Sequence, residues 1–380
     1  SVWEAPWEER WSQVFPSQEH PIFPTDTDVD YHGEQDIRAL YSMADVPLSS
    51  AFKVVGGFRV ETTELIVIND AEENAAWNPP GQGSTEVLPG FYPEGADVRF
   101  EQDDVLPAIS VEYRPIDSVT VRGSYSQTVA RQTFKELTPI QQSEFLGGDV
   151  FVGFPGLKMS ALDNYDLRVD YVPYQGGLFS FSYFYKDITD PIEYVQAFGD
   201  FIFTTPRNYP EGRLSGFEVE VRQRLDQFFE ELEGISVGAN ATFIDSEVTL
   251  PQEEQELFRQ PNLMVPITTR DMTNAPEYLY NLYLTYDLER YATEYAVFYT
   301  VTGDTLVAGA GQSRGNFIPS VYRTEYGMLN MSLTRRLSEQ LALKLQAKNL
   351  LNPDIETVYR SKYIDGDKTK TSYKRGIELS

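Results

Sequence analysis

The sequence predicts an all-β fold and, within that class, a transmembrane antiparallel β-barrel. Three observations carry this. The first is a two-residue beat that returns about a dozen times along the chain. Tyr165, Leu167, Val169 and Tyr171 alternate with Asp166, Arg168 and Asp170; Leu341, Leu343, Leu345 and Ala347 alternate with Ala342, Lys344, Gln346 and Lys348. Successive side chains of a strand point to opposite faces, so each segment has one apolar and one wet face. The second is that the wet face carries full charges. The third is that short and long connections alternate, as in a barrel with a polar lumen, short periplasmic turns and long external loops.

The elements follow in order. Residues 1–33, with Pro6, Pro16, Pro21, Pro24 and clustered acids, read as an extracellular loop, and residues 34–380 as the C-terminal part of a barrel. The first strand sets Ile37, Ala39, Tyr41 and Met43 against Asp36, Arg38 and Ser42, with Leu40 interrupting the wet face. After a turn at Val46-Pro47-Leu48, Phe52, Val54, Phe58 and Val60 oppose Lys53, Arg59 and Glu61. Gly56 and Gly57 mark a bend or a crowded spot there. Ile109, Val111 and Tyr113 pair with Val119, Val121 and Tyr125 across Arg114-Pro115-Ile116-Asp117. Strands at 164–172 and 178–187 flank Pro173–Gly177; the second presents Phe179, Phe181, Tyr183 and Tyr185 on one face. Phe217, Val219 and Val221, then Ile235 to Phe243, then Tyr280 to Tyr286 repeat the beat, and further strands fit at 293–303, 323–335, 340–350 and 372–380. The alternation rule yields about thirteen strands. Long connections near 65–96, 130–162, 187–213, 245–276, 303–322 and 351–371 all fall at one end.

Composition narrows the function. No run approaches 18 apolar residues, which excludes a transmembrane helix but not a barrel, whose strands are weak hydropathy signals. With 24 Tyr and 23 Phe the chain is rich in residues that suit strands and interfacial girdles. It has no cysteine, which removes disulfides, thiolate chemistry and cysteine-ligated zinc, and only His20 and His32, too few for a histidine-rich metal centre. A net charge of −27 disfavours nucleic acid and reads as a solvated acidic surface.

At the next level the residues resemble a family. Tyr125-Ser126-Gln127-Thr128-Val129-Ala130-Arg131, followed by Phe134, Glu136 and Leu137, is similar to the strand-to-loop segment "YSQTVARP.FREL" of TonB-dependent outer-membrane receptors. Gly153-Phe154-Pro155-Gly156-Leu157-Lys158 stands where that family has "GNPDLKPE", with Phe154 for Asn, Gly156 for Asp, and no Pro-Glu after the lysine. Asn164–Leu167, Phe184–Ile188, Gly216–Glu220, Ala275-Pro276-Glu277 and Ala347–Asn352 resemble later family strands, in family order, over nearly all of residues 34–380. The resemblance implies the C-terminal part of a barrel of roughly 22 strands around a plugged lumen. The plug, the TonB box and the first strands have no counterpart, and open edges are not tolerated in lipid, so the expectation is a piece of a larger barrel.

What the resemblance implies for function is energised uptake of a scarce or bulky ligand (siderophore, glycan, cobalamin or similar) across the outer membrane of a Gram-negative-type bacterium. Its implied partners are outer-membrane lipid and lipopolysaccharide, the plug and remaining strands, TonB–ExbB–ExbD through the plug, and a surface lipoprotein or other assembly partner. Two alternatives stand beside it: a split or truncated receptor serving as a scaffold in a surface assembly, and a passive porin. No catalytic residues are expected. Gly311-Gln312-Ser313-Arg314-Gly315 matches the G-x-S-x-G pattern, but both histidines lie upstream of it and it reads as a glycine-rich loop. No cofactor is expected, with calcium the best guess should an ion bind. Asp26, Asp28 and Asp30 resemble the start of a calcium loop, although Tyr31 and Ile37 stand where glycine and glutamate are needed. Trp3, Trp7, Trp11 and Trp77 fall in loops, where aromatic rings stack on ligands or pack against a partner. Arg168, Glu218, Glu220, Arg222, Lys344 and Lys348 are expected to face the lumen.

Overall fold

The computed structural model describes residues 29–71, 75–77, 85–87, 97–139, 141–143, 150–198, 202–261, 263–313 and 315–380. Thirteen strands form one continuous antiparallel sheet in chain order. They are β1 (Val29–Pro47), β2 (Phe52–Ala71), β3 (Val98–Ile116), β4 (Val119–Ala130), β5 (Ser160–Tyr171), β6 (Leu178–Thr189) and β7 (Glu211–Arg224), then β8 (Ile235–Thr249), β9 (Tyr278–Leu288), β10 (Thr293–Thr302), β11 (Tyr326–Arg336), β12 (Ala342–Lys348) and β13 (Glu378–Leu379). A two-residue strand, Thr269–Arg270, pairs with the end of β8 off this path. Connections of two to ten residues close one end of the sheet, and all the longer ones lie at the other.

Register fixes two faces. Tyr125, Tyr165, Tyr185, Leu167, Phe217 and Val219 share the band face. Its aromatic residues gather in two rows. Tyr165 packs on Tyr125 at 5.1 Å and on Tyr185 at 6.1 Å, nearer the long connections. Tyr171 stacks on Phe179 at 6.2 Å and Tyr286 on Tyr295 at 6.5 Å, nearer the short turns. From Tyr165 to Tyr171 is about 20 Å of strand at ~3.3 Å per residue. The opposite face carries the charges and is called the ladder face below.

Beyond the upper aromatic row the faces exchange polarity. On the band face, Glu64, Asp103, Asp187, Asp245 and Glu247 stand exposed. On the ladder face at the same level buried apolar residues gather, with a few buried polar ones such as Thr63 and Asn69 among them. Leu65, Val67 and Val98 join Leu137 and Leu157 in one core, while Ile188 and Val248 join Val195, Tyr209, Leu250, Phe258 and Met272 in another. Both cores are built from strand ends on one side and long connections on the other.

The connections hold more regular structure than their composition suggested. Residues 187–213, read as loop, contain the hairpin Ile192–Phe198 with Ile202–Asn208. Residues 303–322 and 351–371 contribute Thr305–Ala308, Ser320–Arg323, Ile355–Arg360 and Lys368–Tyr373, a second four-stranded sheet. Their strands are short and lack a long alternating run, which is why periodicity passed over them. Three boundaries move. β1 begins at Val29, inside the stretch 1–33 read as loop, and β2 runs to Ala71, past the expected start of the 65–96 connection. At the end only Glu378–Leu379, with Ser380 bonding to Gln346, pairs with β12; Tyr373 belongs to the connection. Polar ends of strands that project past the aromatic rows look like loop by composition alone.

β1 also faces differently from a simple reading of its alternation. Tyr41 lies opposite Arg59 and Ala39 opposite Glu61, so Ile37, Ala39, Tyr41 and Met43 share the ladder face, and Leu40 and Val46 the band face. Gly57 permits this pairing, since a Cβ there would overlap the Ser42 carbonyl oxygen.

Candidate functional site

Two features of the ladder face bring chemistry together. The first is a charge ladder across β3 to β7, at the level of the apolar band. Cross-strand neighbours at strand spacing let long side chains reach sideways. Arg122 Nε donates to Glu112 Oε2 at 3.0 Å and its Nη1 to Asp170 Oδ2 at 2.6 Å. Arg168 bonds Asp170 Oδ1 at 2.8 Å and Glu220 Oε2 at 3.1 Å, and Ser180 Oγ donates to Asp170 Oδ1 at 2.7 Å. Each carboxylate therefore meets an arginine, and the ladder as a whole is close to neutral.

The second feature sits at the long-connection end, over the ladder face. Arg270 Nη1 bonds Glu193 Oε2 at 2.7 Å, with the two side chains 8 % and 1 % exposed. Glu193 Oε2 also accepts the Thr273 N–H at 3.0 Å. The Arg270 guanidinium lies 4.9 Å over the Tyr209 ring, and Tyr209 Oη donates to Glu254 Oε2 at 2.6 Å. Glu254 is on helix α2 (Gln252–Phe258), anchored by Phe258 in the core. Burial pushes the carboxyls of Glu193 and Glu254 up from their ordinary value, with Arg270 opposing that shift at both. Burial likewise raises Tyr209, which stays a neutral donor.

Polar clefts open beside this cluster. One of about 470 Å³ is lined by Tyr185, Arg213, Asp245, Glu247, Arg270 and Asp271, and another of about 290 Å³ by residues including Asp245, Asp304 and Tyr322. Arg360 closes the far side. It bonds Asp304 Oδ2 at 2.6 Å and Asp367 Oδ2 at 2.7 Å, and stacks on Tyr322 at 4.9 Å. The Arg360 bond holds the Asp367 carboxyl below its usual range.

The residues singled out in the sequence distribute unevenly. Arg168 and Glu220 are joined in the ladder, and Glu218 and Arg222 flank Glu220 on the same face of β7. Lys344 and Lys348 share that face five strands away on β12, where Lys348 bonds Glu378 at 2.7 Å. Trp3, Trp7, Trp11, Asp26 and Asp28 lie outside the described residues. Asp30 is in β1, and Trp77 ends the short strand Ala75–Trp77. Among the described residues no group of His, Asp or Glu is arranged to hold a metal ion. Gly311–Ser313 pairs with Asn316–Ile318 as a hairpin, where a nucleophile elbow would need a strand followed by a helix.

Sequence reasoning missed Arg122, Asp170 and Glu112, although each continues an alternation already read in its strand. It also missed Arg270 and Glu193, for which no local signal exists; they are 77 residues apart and meet only in the fold. The motif residues of 131–137 do have a local account. Arg131 pairs with Glu61 on β2, and Thr133 and Glu136 form a capping box on helix α1 (Phe134–Leu137). Glu136 also accepts from Tyr194 Oη at 2.7 Å, while Phe134 lies against Gly33, where a Cβ would meet its ring at 2.7 Å.

Comparison with known proteins agrees with this architecture. The family model described as TonB dependent receptor-like, beta-barrel, matches residues 8–350. Among solved structures, the ferric-catecholate import receptor Fiu of K12 E. coli superposes with a TM-score of 0.53 at 15 % identity, over 90 % of this chain and 44 % of that one. The siderophore receptor PiuA of Acinetobacter baumannii gives 0.54 at 11 % identity, over 86 % and 40 %. The ferric yersiniabactin uptake receptor FyuA of Yersinia pestis gives 0.53 at 16 % identity, over 90 % and 45 %. The chain thus spans less than half the length of each of these receptors. No protein of curated function matches it in sequence.

Proposed function

Since the chain belongs to the TonB-dependent receptor β-barrel family, whose members are transporters and not enzymes, we propose that it forms part of the wall and vestibule of an active importer in the outer membrane. The band face would meet lipid, and the ladder face would line the lumen. The carrying observation is the pairing of an aromatic-edged apolar band with a near-neutral charge ladder directly behind it. Charges in a membrane-embedded wall are tolerated when they face a polar interior and pair with one another.

The proposed cargo class is an iron–siderophore complex, because the similar solved receptors named above are siderophore or ferric-complex receptors. Transport would need the TonB system acting through a plug, since the ladder has no motive element of its own. The test is uptake of radiolabelled ferric siderophores by cells that carry or lack the full-length protein, with and without a functional TonB. Uptake that depends on both supports the proposal. Conductance in planar bilayers that needs no TonB, with no siderophore-dependent uptake, would mean a passive pore instead.

A further inference from the structure

Three long connections converge on one guanidinium. Residues 190–210 supply Glu193 and Tyr209, residues 250–277 supply Arg270, Glu254 and Thr273, and residues 303–325 supply Gly309. The arginine is held on every side. Glu193 meets it end-on, the Tyr209 ring lies beneath it, and Gly309 packs against its Nε, Cζ and Nη2. A Cβ on Gly309 would stand 2.6 Å from Arg270 Nε, 2.7 Å from Cζ and 2.9 Å from Nη2. Nε and Nη2 are buried with no hydrogen-bond partner among the described residues. Gly309 is itself pinned: its N–H donates to the Tyr194 carbonyl at 2.7 Å, and its carbonyl accepts from Gln196 N–H at 3.1 Å. The same hairpin reaches one further segment, through Tyr194 to Glu136, and bonds the third connection again through Gln196 Nε2 to the Pro319 carbonyl at 2.6 Å.

From this geometry we infer that Arg270 is a positioning residue, a latch that locks these three connections into one preformed block over the ladder face, with Gly309 as the cradle that admits it. The block is the surface an incoming ligand would meet, so the inference deepens the uptake reading and rests on it for the word ligand. Neither the charge pair nor the cradle suffices alone. Without the guanidinium, Glu193 is a buried charge lacking its main partner; with a side chain at 309, the guanidinium has no room. Loop movement on ligand capture would then have to arise outside the block, or by breaking this one contact.

The test is hydrogen–deuterium exchange on the purified full-length protein, which reads the latch whether or not the protein imports anything. Arg270→Met should speed exchange of the amides in 192–198, 252–258 and 305–309 by about ten-fold, leaving the strand amides of 178–186 and 216–222 unchanged. Gly309→Ala should release the same three segments. The double variant should exchange no faster than either single one, because both act through one contact. Arg270→Lys, which keeps a charge for Glu193, should restore part of the protection, an effect that loss of packing alone would not give. Exchange within about two-fold of the parent in Arg270→Met overturns the inference, and so do additive effects in the double variant. Should Arg270→Met also loosen the strand amides, Gly309→Ala decides: release of the three segments supports the latch, and unchanged protection overturns it.

Discussion

Along β5, the six residues 162–167 hold two worlds: at Tyr165 and Leu167 the band face is apolar and the ladder face charged, whereas at Asp163 and Leu162 the band face is acidic and the ladder face apolar. The same exchange occurs at Tyr185 and Asp187 on β6, and at Phe243 and Asp245 on β8. The strands do not change, and neither does their period of two. What changes is which face meets water. Within the band the apolar side is turned outward and the charges of the opposite face pair with one another. Beyond it the apolar side is turned inward beneath the long connections, and the carboxylates stand in solvent. The aromatic row marks the crossing. A single alternation thus serves two environments, and the placement of the crossing on several neighbouring strands is what makes it an interface rather than a local accident.

The sharpest way to break this contrast is to damage each region by its own rule. At the long-connection end, Phe258→Ala empties a site only 1 % exposed and should cost about 3–5 kcal/mol, read as loss of the loop block's protection in exchange or proteolysis. In the band, Val219→Arg on the band face should cost about 2–4 kcal/mol of folding stability in bilayers, if that face meets lipid near its midplane. The same arginine at Asp245, past the aromatic row, should cost about 0–1 kcal/mol. Equal effects at Val219 and Asp245 would remove the distinction between the two levels.

These two regions were also unequally legible. The band could be read from sequence because its signal is local: Phe179, Phe181, Tyr183 and Tyr185 declare a face within one segment, and the alternation of short and long connections follows from counting. The thirteen strands, their order and the side taken by the long connections are as that reading has them. Its failures lie where the signal is ambiguous. β1 has Leu40 on one face and Tyr41 and Met43 on the other, so alternation alone could not say which side pairs with Arg59. The loop block was illegible for a different reason. Glu193, Tyr209, Arg270 and Gly309 come from three connections, and nothing in their neighbourhoods announces that they meet. Only the order of the sheet, which sets the ends of β6, β8 and β10 one strand apart, makes their encounter possible.

Within the band, the ladder sets a smaller effect. Asp170 accepts from Arg122, Arg168 and Ser180, and its side chain is 12 % exposed. Asp170→Ala removes the shared acceptor of two arginines and should cost about 1–3 kcal/mol. Lys344→Ala, on the same face but outside the ladder, should stay within about 0.5 kcal/mol. Thermal or denaturant unfolding in detergent compares the two. Matching losses would mean that the ladder is a row of independent surface charges.

The smallest effect separates two clamps inside the loop end by the sign of their response to acid. Burial raises the carboxyls of Glu193 and Glu254, so the closed block binds protons more readily than an opened one. A group raised in this way contributes stability that is fully present below its free value, about 4.3 for glutamate, and lost as pH rises through the closed-state value. Asp367 is the reverse case. Its bond to Arg360 lowers its carboxyl, so its contribution is present above its free value, about 3.9, and lost as pH falls through the lower, folded one. Acidifying from pH 7 to about 4.5 should therefore strengthen protection at 192–198 and 252–258, once the intrinsic exchange rate is corrected for, and leave the Arg360 clamp at 355–360 unchanged. Glu193→Gln should flatten the first response and spare the second. Protection at 192–198 that weakens over that window would mean the ion pair to Arg270, rather than burial, governs Glu193, and that the block is held at neutral pH by charge more than by packing.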